Sequence, residues 1–297
     1  MKFGVREICD VVFKAKAKVR IGGIDFEPGQ PVLYIDSAKT STIEGAATTV
    51  YATGGRGNNR LIAWEGEKTL TFTVEDALLS PMGYAILSGA GLLKGSASEK
   101  VHVHTTSMAY ADDTGKIDLR DALGVDDLDP DAKIYVIPVG PDGSLNGKPV
   151  AGTKGEGGKF VNATGVKGAC FVDYYIEKTS DKVSELQIDA ENFAGYYYVE
   201  ASTLFRRQDN GKDMPAEITF PNVKIQSNFT FSLASSGDPS TFTFTMDAMP
   251  GYTYFNPSRK VLCAIQIIED ADLANDSTVE TVFPVDKEDD FIYDDIK

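Results

Sequence analysis

The chain has 297 residues and a net charge of −15 at pH 7, with 42% hydrophobic and 25% charged residues. An acidic chain of this kind repels the phosphate backbone, which argues against a nucleic-acid-binding protein. No run approaches the roughly 18 apolar residues of a membrane span, so we expect no membrane partner. The length leaves room for two domains, or for one domain with a large insertion.

The charge is unevenly distributed along the chain. Residues 269–297 contain eleven acidic residues against two lysines, whereas the first twenty contain six basic residues against two acidic ones. These ends could attract each other between subunits, or the acidic tail could simply be solvated. The first twenty residues also lack the uninterrupted apolar segment of a signal peptide, so we expect synthesis without secretion by that route.

The N-terminal quarter reads as short elements separated by turns. Apolar spacing predicts a helix over residues 5–14, and residues 19–26 and 31–35 are expected to form a hairpin. Short strands are predicted at 48–51, 61–64 and 69–74, with a flexible loop at 53–60. Ser80 and Pro81 then predict the start of a helix that ends near Gly89 or Gly91.

The segment from about 95 to 200 has a different character. It is richer in Gly and Asp, and its strands are predicted at 134–139, 171–176 and 196–199. We interpret it as an inserted β-rich domain. The predicted domains are therefore a core of residues 1–94 and 201–268, an insertion of residues 95–200, and an acidic C-terminal tail of residues 269–297.

Residues 217–249 are predicted to form two long strands around a Ser-Ser-Gly-Asp-Pro turn. Their apolar residues recur at every second position, which leaves one apolar and one polar sheet face. The apolar positions are Phe229, Phe231, Leu233, Phe242, Phe244 and Met246. The polar positions include Thr230, Ser232, Thr241, Thr243 and Thr245. A face of Thr and Ser favours packing over catalysis.

Candidate chemical sites are weak. His102 and His104 share one strand face and could share a metal, but no third ligand is identifiable, so we expect no metal site. Alternating aspartates from Asp127 to Asp131 resemble a calcium loop, yet its glycine and terminal glutamate are missing. We therefore expect no enzyme and no cofactor. A hydrolase with a carboxylate pair stays open, as does a sugar-binding surface built on the tyrosines at 196–198.

Two segments carry a resemblance to a known family. The strand-then-helix pattern of residues 63–93 resembles a module of phage tail tube proteins. Residues 213–251 resemble the closing strand pair of tail tube and related virion structural proteins. Together these segments cover under half of the chain, and residues 95–200 do not match the compact form of the family.

The resemblance implies a mainly β fold, with a β-sandwich or barrel-like core, a flanking short helix and the inserted β-rich domain. It implies a non-catalytic subunit that self-assembles into hexameric rings, which stack into a tube through which DNA passes without specific binding. The five polar positions Thr230, Ser232, Thr241, Thr243 and Thr245 would then lie at the subunit interface or the lumen.

Other copies of the chain are the main partners that the resemblance implies, with tail sheath, tape measure and baseplate proteins as further ones. The location implied is the virion tail, after synthesis in the host cytoplasm. The unmatched insertion leaves a decoration or baseplate component open as an alternative, beside a carbohydrate-binding or adhesive β module.

Overall fold

The computed structural model describes residues 2–5, 7–119, 128–129, 131–155, 157, 159–230 and 241–268. The fold is mainly β with one short helix, as the sequence predicts. The elements are β1 (Phe3–Val5), β2 (Asp10–Ala15), β3 (Val19–Ile21), β4 (Ile24–Phe26), β5 (Pro31–Ile35), β6 (Ala38–Gly54), β7 (Asn59–Asp76), α1 (Pro81–Ser88), β8 (Gly91–Lys94), β9 (Val101–Ala111), β10 (Lys116–Asp118), β11 (Ile134–Pro138), β12 (Val150–Lys154), β13 (Phe160–Asn162), β14 (Gly168–Lys178), β15 (Ser184–Gln187), β16 (Tyr196–Arg207), β17 (Asp213–Ile225), β18 (Phe242–Ala248), β19 (Gly251–Thr253), β20 (Asn256–Val261) and β21 (Ala264–Ile267).

The described residues form two compact units. The first, the sheet unit, draws on residues 1–19, 26–79 and 194–268. The second, the barrel unit, draws on residues 20–25 and 80–193. The predicted domains have boundaries that differ from those of these two units: a core of residues 1–94 and 201–268, and an insertion of residues 95–200. This division stays a prediction. The predicted tail of residues 269–297 lies outside the described residues.

The sheet unit is built on a nine-stranded antiparallel sheet. Its strand order is β5-β2-β16-β17-β18-β7-β6, with β1 also paired to β16 and β21 to β17. One face is buried and rich in phenylalanine, and the rings of Phe72 and Phe220 stack with centroids 4.7 Å apart. Burying rings of this size contributes much of the stability of such a core.

The barrel unit contains a closed six-stranded barrel in the order β10-β13-β12-β11-β14-β9. Its interior is filled by small and branched apolar side chains around the fully buried Tyr174. Outside the barrel strands, β8 pairs with β15. Strand β9 pairs with β14 along all of its 11 residues, whereas β10 closes the barrel on the other side of β9 through the single pair of Ile117 with Ala111.

Helix α1 begins and ends where the sequence predicts. The Ser80 hydroxyl accepts a hydrogen bond from the Gly83 amide at 3.0 Å, and Pro81 occupies the first turn. Gly89 ends the helix in the left-handed region at φ 72°. Both signals act through local geometry, which explains why sequence alone finds them.

The predicted helix over residues 5–14 is wrong. Strands β1 and β2 occupy this region, and Val11, Phe13 and Ala15 alternate into the core. The predicted hairpin of residues 19–26 with 31–35 is also wrong, because β5 pairs with β2 and β3 pairs with β4. The apolar spacing of residues 5–14 also fits a short helix. The segment forms strands because burial against the sheet selects side chains at every second position.

The three short strands and the loop predicted between 48 and 74 are parts of one long hairpin. Strands β6 and β7 run for 17 and 18 residues without a break. Residues 65–68 stay within β7, where a bulge places Thr48 against Gly66, and a Cβ on Gly66 would come within 2.5 Å of the Thr48 hydroxyl. The loop at 53–60 is a turn of four residues, 55–58, with left-handed backbone at Gly55, Gly57 and Asn58.

The predicted strand pair at 217–249 is half right. Its second strand is β18, in which Phe242, Phe244 and Met246 are buried as the alternation predicts. Its first strand is right for residues 217–225, which lie in β17 and pair with β18, but it ends at Ile225, and residues 226–230 are not in a strand. Phe231, Ser232 and Leu233 lie outside the described residues.

We expect Phe72→Ala to destabilise the sheet unit by about 3–5 kcal/mol, because it removes a fully buried ring and its stacked partner contact. Equilibrium chemical denaturation followed by circular dichroism measures this loss. Phe255→Ala is the matched control, since Phe255 is 97% exposed and its loss should change the free energy of unfolding by less than about 0.5 kcal/mol. Equal effects of the two substitutions would contradict this assignment of the core.

Candidate assembly surface

One end of the nine-stranded sheet carries a polar face made of threonines and carboxylates. Three rows of cross-strand neighbours on β18, β7 and β6 form it, and we name it the threonine face. Its rows are Thr243, Glu75 and Thr40; Thr245, Thr73 and Thr42; and Asp247, Thr71 and Glu44. These nine side chains are exposed or half-buried. They include three carboxylates and no cation, so the face is polar and negative.

The alternation of β18 and β7 fixes which way this face points. Phe72, Val74, Phe244 and Met246 occupy the intervening positions and are fully buried. Because side chains alternate across a strand, burying these residues forces the threonines and carboxylates to the other side of the sheet. The threonine face is therefore a direct consequence of the phenylalanine core beneath it.

Hydrogen bonds hold the carboxylates of this face. The Thr241 hydroxyl donates to Glu75 Oε1 at 2.5 Å, and the Thr40 hydroxyl donates to Glu75 Oε2 at 3.2 Å. The hydrogen bond from Thr241, followed by that from Thr40, lowers the pKa of Glu75 below its ordinary value. Donors that stabilise the charged form of a carboxyl group keep the face negative to lower pH.

Asp247 marks the border of the face. It accepts hydrogen bonds from the Thr71 hydroxyl at 3.3 Å and from the Gln226 amide at 3.1 Å. Lys224 lies directly opposite it on β17. Its ammonium donates to the Ala194 carbonyl and lies 5.0 Å from the centre of the Tyr196 ring.

The structure brings together four of the five polar residues singled out from the sequence. Thr230, Thr241, Thr243 and Thr245 line a shallow cleft of about 250 Å³ with Asn228 and Phe229. Thr230 reaches this cleft from the segment after β17 and not from a strand. Ser232 lies outside the described residues. Their predicted place at a subunit interface or lumen stays a prediction.

The β6–β7 hairpin extends from this sheet as a two-stranded ribbon. Only residues 71–76 of β7 also pair with β18, and residues 59–69 are exposed on both faces. At about 3.3 Å per residue, the 17 residues of β6 span roughly 55 Å. A lone two-stranded ribbon is marginally stable in water, so this one is suited to completion by another surface.

Large apolar side chains cluster on one face of this ribbon. Val50 lies opposite Trp64, and Ala52 lies opposite Ile62, so the four share a face that we name the ribbon patch. Val50, Ile62 and Trp64 are 65%, 55% and 53% exposed. Trp64 is the only tryptophan in the chain. An exposed tryptophan on a ribbon of this kind is typical of an interface.

Sequence reasoning missed both the ribbon patch and most of the threonine face. The signal for the threonine face was the alternation of Thr71, Thr73 and Glu75, which repeats the pattern of β18. The ribbon was hidden by Glu65-Gly66-Glu67-Lys68, whose glycine and charges read as a turn. Only the register shows that these residues remain paired with β6.

The residue types considered for chemistry are mostly structural here. Tyr197 and Tyr198 are buried, so neither offers a ring to a sugar, whereas Tyr196 is 51% exposed. Burial raises the pKa of Tyr197 to about 12. Burial likewise raises the pKa of the Cys263 thiol to about 11, which keeps it protonated and weakly nucleophilic. Of the calcium-like aspartates, Asp127 lies outside the described residues, and Asp129 bonds to His102 at 2.7 Å.

A protein-family model matches most of the chain. No curated protein matches the chain. The model of the YomU/Tube protein family matches residues 17–253, which is more than half of the sequence. This chain belongs to the YomU/Tube protein family. Membership confirms the resemblance to phage tail tube proteins and makes the chain a tail or tube type of structural protein.

The family match covers both the threonine face and the ribbon patch of this YomU/Tube protein. It also runs through the barrel unit, from β8 to β15. Membership of a tube family favours a structural role over a catalytic one. It also favours a place in the virion tail. Separately, no described helix combines the length and apolar character needed to cross a bilayer.

In this YomU/Tube protein we expect Thr241→Val to raise the pKa of Glu75 toward its ordinary value, because the substitution removes the strongest hydrogen bond to the carboxylate. A folded-state pKa below the unfolded value gives stability that is present above the unfolded pKa and is lost as pH falls. The stability difference between wild type and variant should therefore shrink as pH drops through that range. Denaturation curves from pH 7 to pH 3 measure it.

The matched control is Thr243→Val, on the same face but outside the hydrogen bonds that hold Glu75. Its effect on stability should not depend on pH. A pH-independent effect of Thr241→Val would contradict the role given to this hydrogen bond.

Proposed function

We propose that this chain is a tube subunit that assembles into rings, which stack into a tail tube through which DNA passes. Hexameric rings are the symmetry that the resemblance to tail tube proteins implies. The subunit has no catalytic role and requires no cofactor in this proposal. Family membership supports the structural class, and the ribbon and the threonine face support the manner of assembly.

The β6–β7 ribbon is the observation that carries the proposal. It exposes Val50, Ile62 and Trp64 on one face, with about half or more of each side chain in water. Exposed apolar surface of this kind is unfavourable in a solitary subunit and marks an interaction site. A second copy of the chain in the next ring is the occupant we propose, since a tube subunit meets the same neighbour at every level.

The two terminal strands of the nine-stranded sheet provide the contact that would close the ring. Among the described residues, β5 and β6 are the terminal strands of the nine-stranded sheet. Each presents backbone donors and acceptors to any strand that docks beside it. Pairing β6 of one subunit with β5 of the next is a heterologous contact, and contacts of this type close into rings.

The threonine face is the proposed lumen wall. Glu44, Glu75 and Asp247 give it negative charge without a neutralising cation among its nine residues. A DNA duplex is drawn to lysine and arginine by counterion release, so a wall that lacks them does not retain it. Threonine hydroxyls keep such a wall wetted, which lets the DNA slide.

Other copies of the chain are the main proposed partners. Tail sheath, tape measure and baseplate proteins are further partners of a tube, and DNA transits without specific binding. Membrane association plays no part in the proposal. The subunit is made in the host cytoplasm and ends in the virion tail.

A decoration or baseplate component is the rival within the same structural class. Electron microscopy of purified protein separates the two, because a tube subunit forms stacked rings by itself whereas a decoration protein stays unassembled until its scaffold is present. Failure to form rings or tubes across protein concentration and salt would count against the proposal.

We expect Trp64→Ser to shorten tubes to single rings, because it removes the largest apolar group of the ribbon patch. Loss of an interface tryptophan costs about 2 kcal/mol or more per contact, and the contact repeats around every ring. Negative-stain electron microscopy and analytical ultracentrifugation measure the assembled length. Thermal melts check that the variant subunit remains folded.

Tyr110→Ser is the control for that substitution, since Tyr110 is 73% exposed on β9 of the barrel. It should leave tube length unchanged. Tubes of normal length from Trp64→Ser would remove the ribbon patch from the stacking contact.

We expect the double substitution Glu44→Lys with Glu75→Lys to make assembled tubes retain duplex DNA, because it turns the lumen wall cationic. Retention should fall steeply between 50 and 200 mM salt, by roughly 10³-fold or more if several phosphates are contacted per ring. Co-sedimentation of tubes with short duplexes measures it. Substituting Glu185 and Glu191 by Lys, in the barrel unit, is the control and should give weaker retention.

A further inference from the structure

A histidine and two carboxylates converge on the outer side of the barrel. His102 on β9 and Glu177 on β14 are direct cross-strand neighbours. Asp129 joins them from the short described segment 128–129. One ligand atom from each residue lies within 4.8 Å of the other two. We name these three residues the His–Asp–Glu cluster.

Backbone contacts hold Asp129 in place. Its amide donates to the Tyr175 carbonyl at 3.0 Å, and Leu128 beside it is fully buried in the barrel. Its Oδ1 accepts from the amides of Asp131 and Ala132 at 2.9 and 3.2 Å. These bonds leave Oδ2 aimed at His102 Nδ1, 2.7 Å away. A carboxylate oriented through its second oxygen is a common support for metal binding.

Burial also favours ligation by Asp129. The residue is only 6% exposed, so few water molecules compete for its carboxylate, and the amides of Asp131 and Ala132 already fix one of its oxygens.

A cation already neighbours the cluster. The Lys100 ammonium lies 2.7 Å from Glu177 Oε2 and is itself 46% exposed. A flexible, solvated lysine pairs weakly with a carboxylate. It can swing into solvent when a divalent ion, with twice the charge, takes its place.

We propose that the His–Asp–Glu cluster binds one divalent first-row transition-metal ion of the zinc class. A ring nitrogen of His102 and one carboxylate oxygen each from Asp129 and Glu177 are the ligands, and water completes the coordination. Tetrahedral zinc with bonds of about 2.0–2.1 Å separates its ligand atoms by about 3.3 Å, so the cluster needs only small side-chain adjustments. The ion pins the 128–129 segment to β9 and β14, independently of the proposed function.

The test uses the full chain after treatment with EDTA and dialysis. Isothermal titration with Zn²⁺ should give one ion per chain, and Co²⁺ should give the visible d–d bands of nitrogen and oxygen ligation. His102→Ala and Glu177→Gln should each weaken binding by about tenfold or more. Both positions are on strands whose backbone pairing does not depend on the side chain, and melts without metal check their folding.

Two further variants sharpen the result. His104→Ala is the matched control, because His104 lies two residues along the same strand face and pairs with Asp173 at 3.3 Å. It should bind the ion as wild type does. Lys100→Met should bind severalfold more tightly, since it removes the competing ammonium.

Three outcomes would overturn the proposal. The first is a titration of the wild-type protein that shows no binding, and the second is equal binding when His102 or Glu177 is replaced. Intense thiolate-to-cobalt charge-transfer bands would also overturn it, because they would assign the ion to a cysteine such as Cys263, the least buried of the three free thiols.

Discussion

The rest of the structure depends on one constraint, which is that the β6–β7 ribbon has two uncovered faces. Strands β6 and β7 form every backbone hydrogen bond with each other over most of their length, yet nothing in the described chain covers their faces. Apolar side chains such as Trp64 are consequently left in water. The hydrophobic effect acts against this arrangement in a solitary subunit and favours it in an assembly that buries the ribbon patch.

The same strands connect the ribbon patch to the threonine face. Near its end, β7 leaves the ribbon and enters the nine-stranded sheet, where Phe72 and Val74 face the core. Thr71, Thr73 and Glu75 must then face the other way, beside the threonines of β18 and β6. One strand therefore carries part of the exposed ribbon patch at one end and part of the polar, negative threonine face at the other.

Local signals in the sequence were sufficient for some elements. Ser80 and Pro81 start α1 through contacts within one turn, and Phe242, Phe244 and Met246 alternate within one strand. Elements that depend on pairing between distant strands were missed. The continuity of β7 through Gly66 rests on a bulge opposite Thr48, and the strand character of residues 10–15 rests on burial against β16.

The residues of the candidate sites also divide into those predictable from local spacing and those that depend on pairing between distant strands. Thr241, Thr243 and Thr245 could be placed on one face from their spacing alone. The carboxylate that Thr241 holds could not, because Glu75 is 166 residues away in the chain. The neighbours of His102 in the His–Asp–Glu cluster were likewise not predictable, since cross-strand register supplies Glu177 and a short segment supplies Asp129.

Hydrogen–deuterium exchange on matched samples of unassembled and assembled protein tests the central claim most directly. The amides of residues 45–54 and 59–69 exchange readily when a ribbon frays in isolation, and burial by a neighbouring copy slows them. The account predicts that assembly protects these amides strongly while those of the barrel strands change little. Equal exchange of the ribbon in the two samples would contradict it, because the ribbon would then not be completed by another copy.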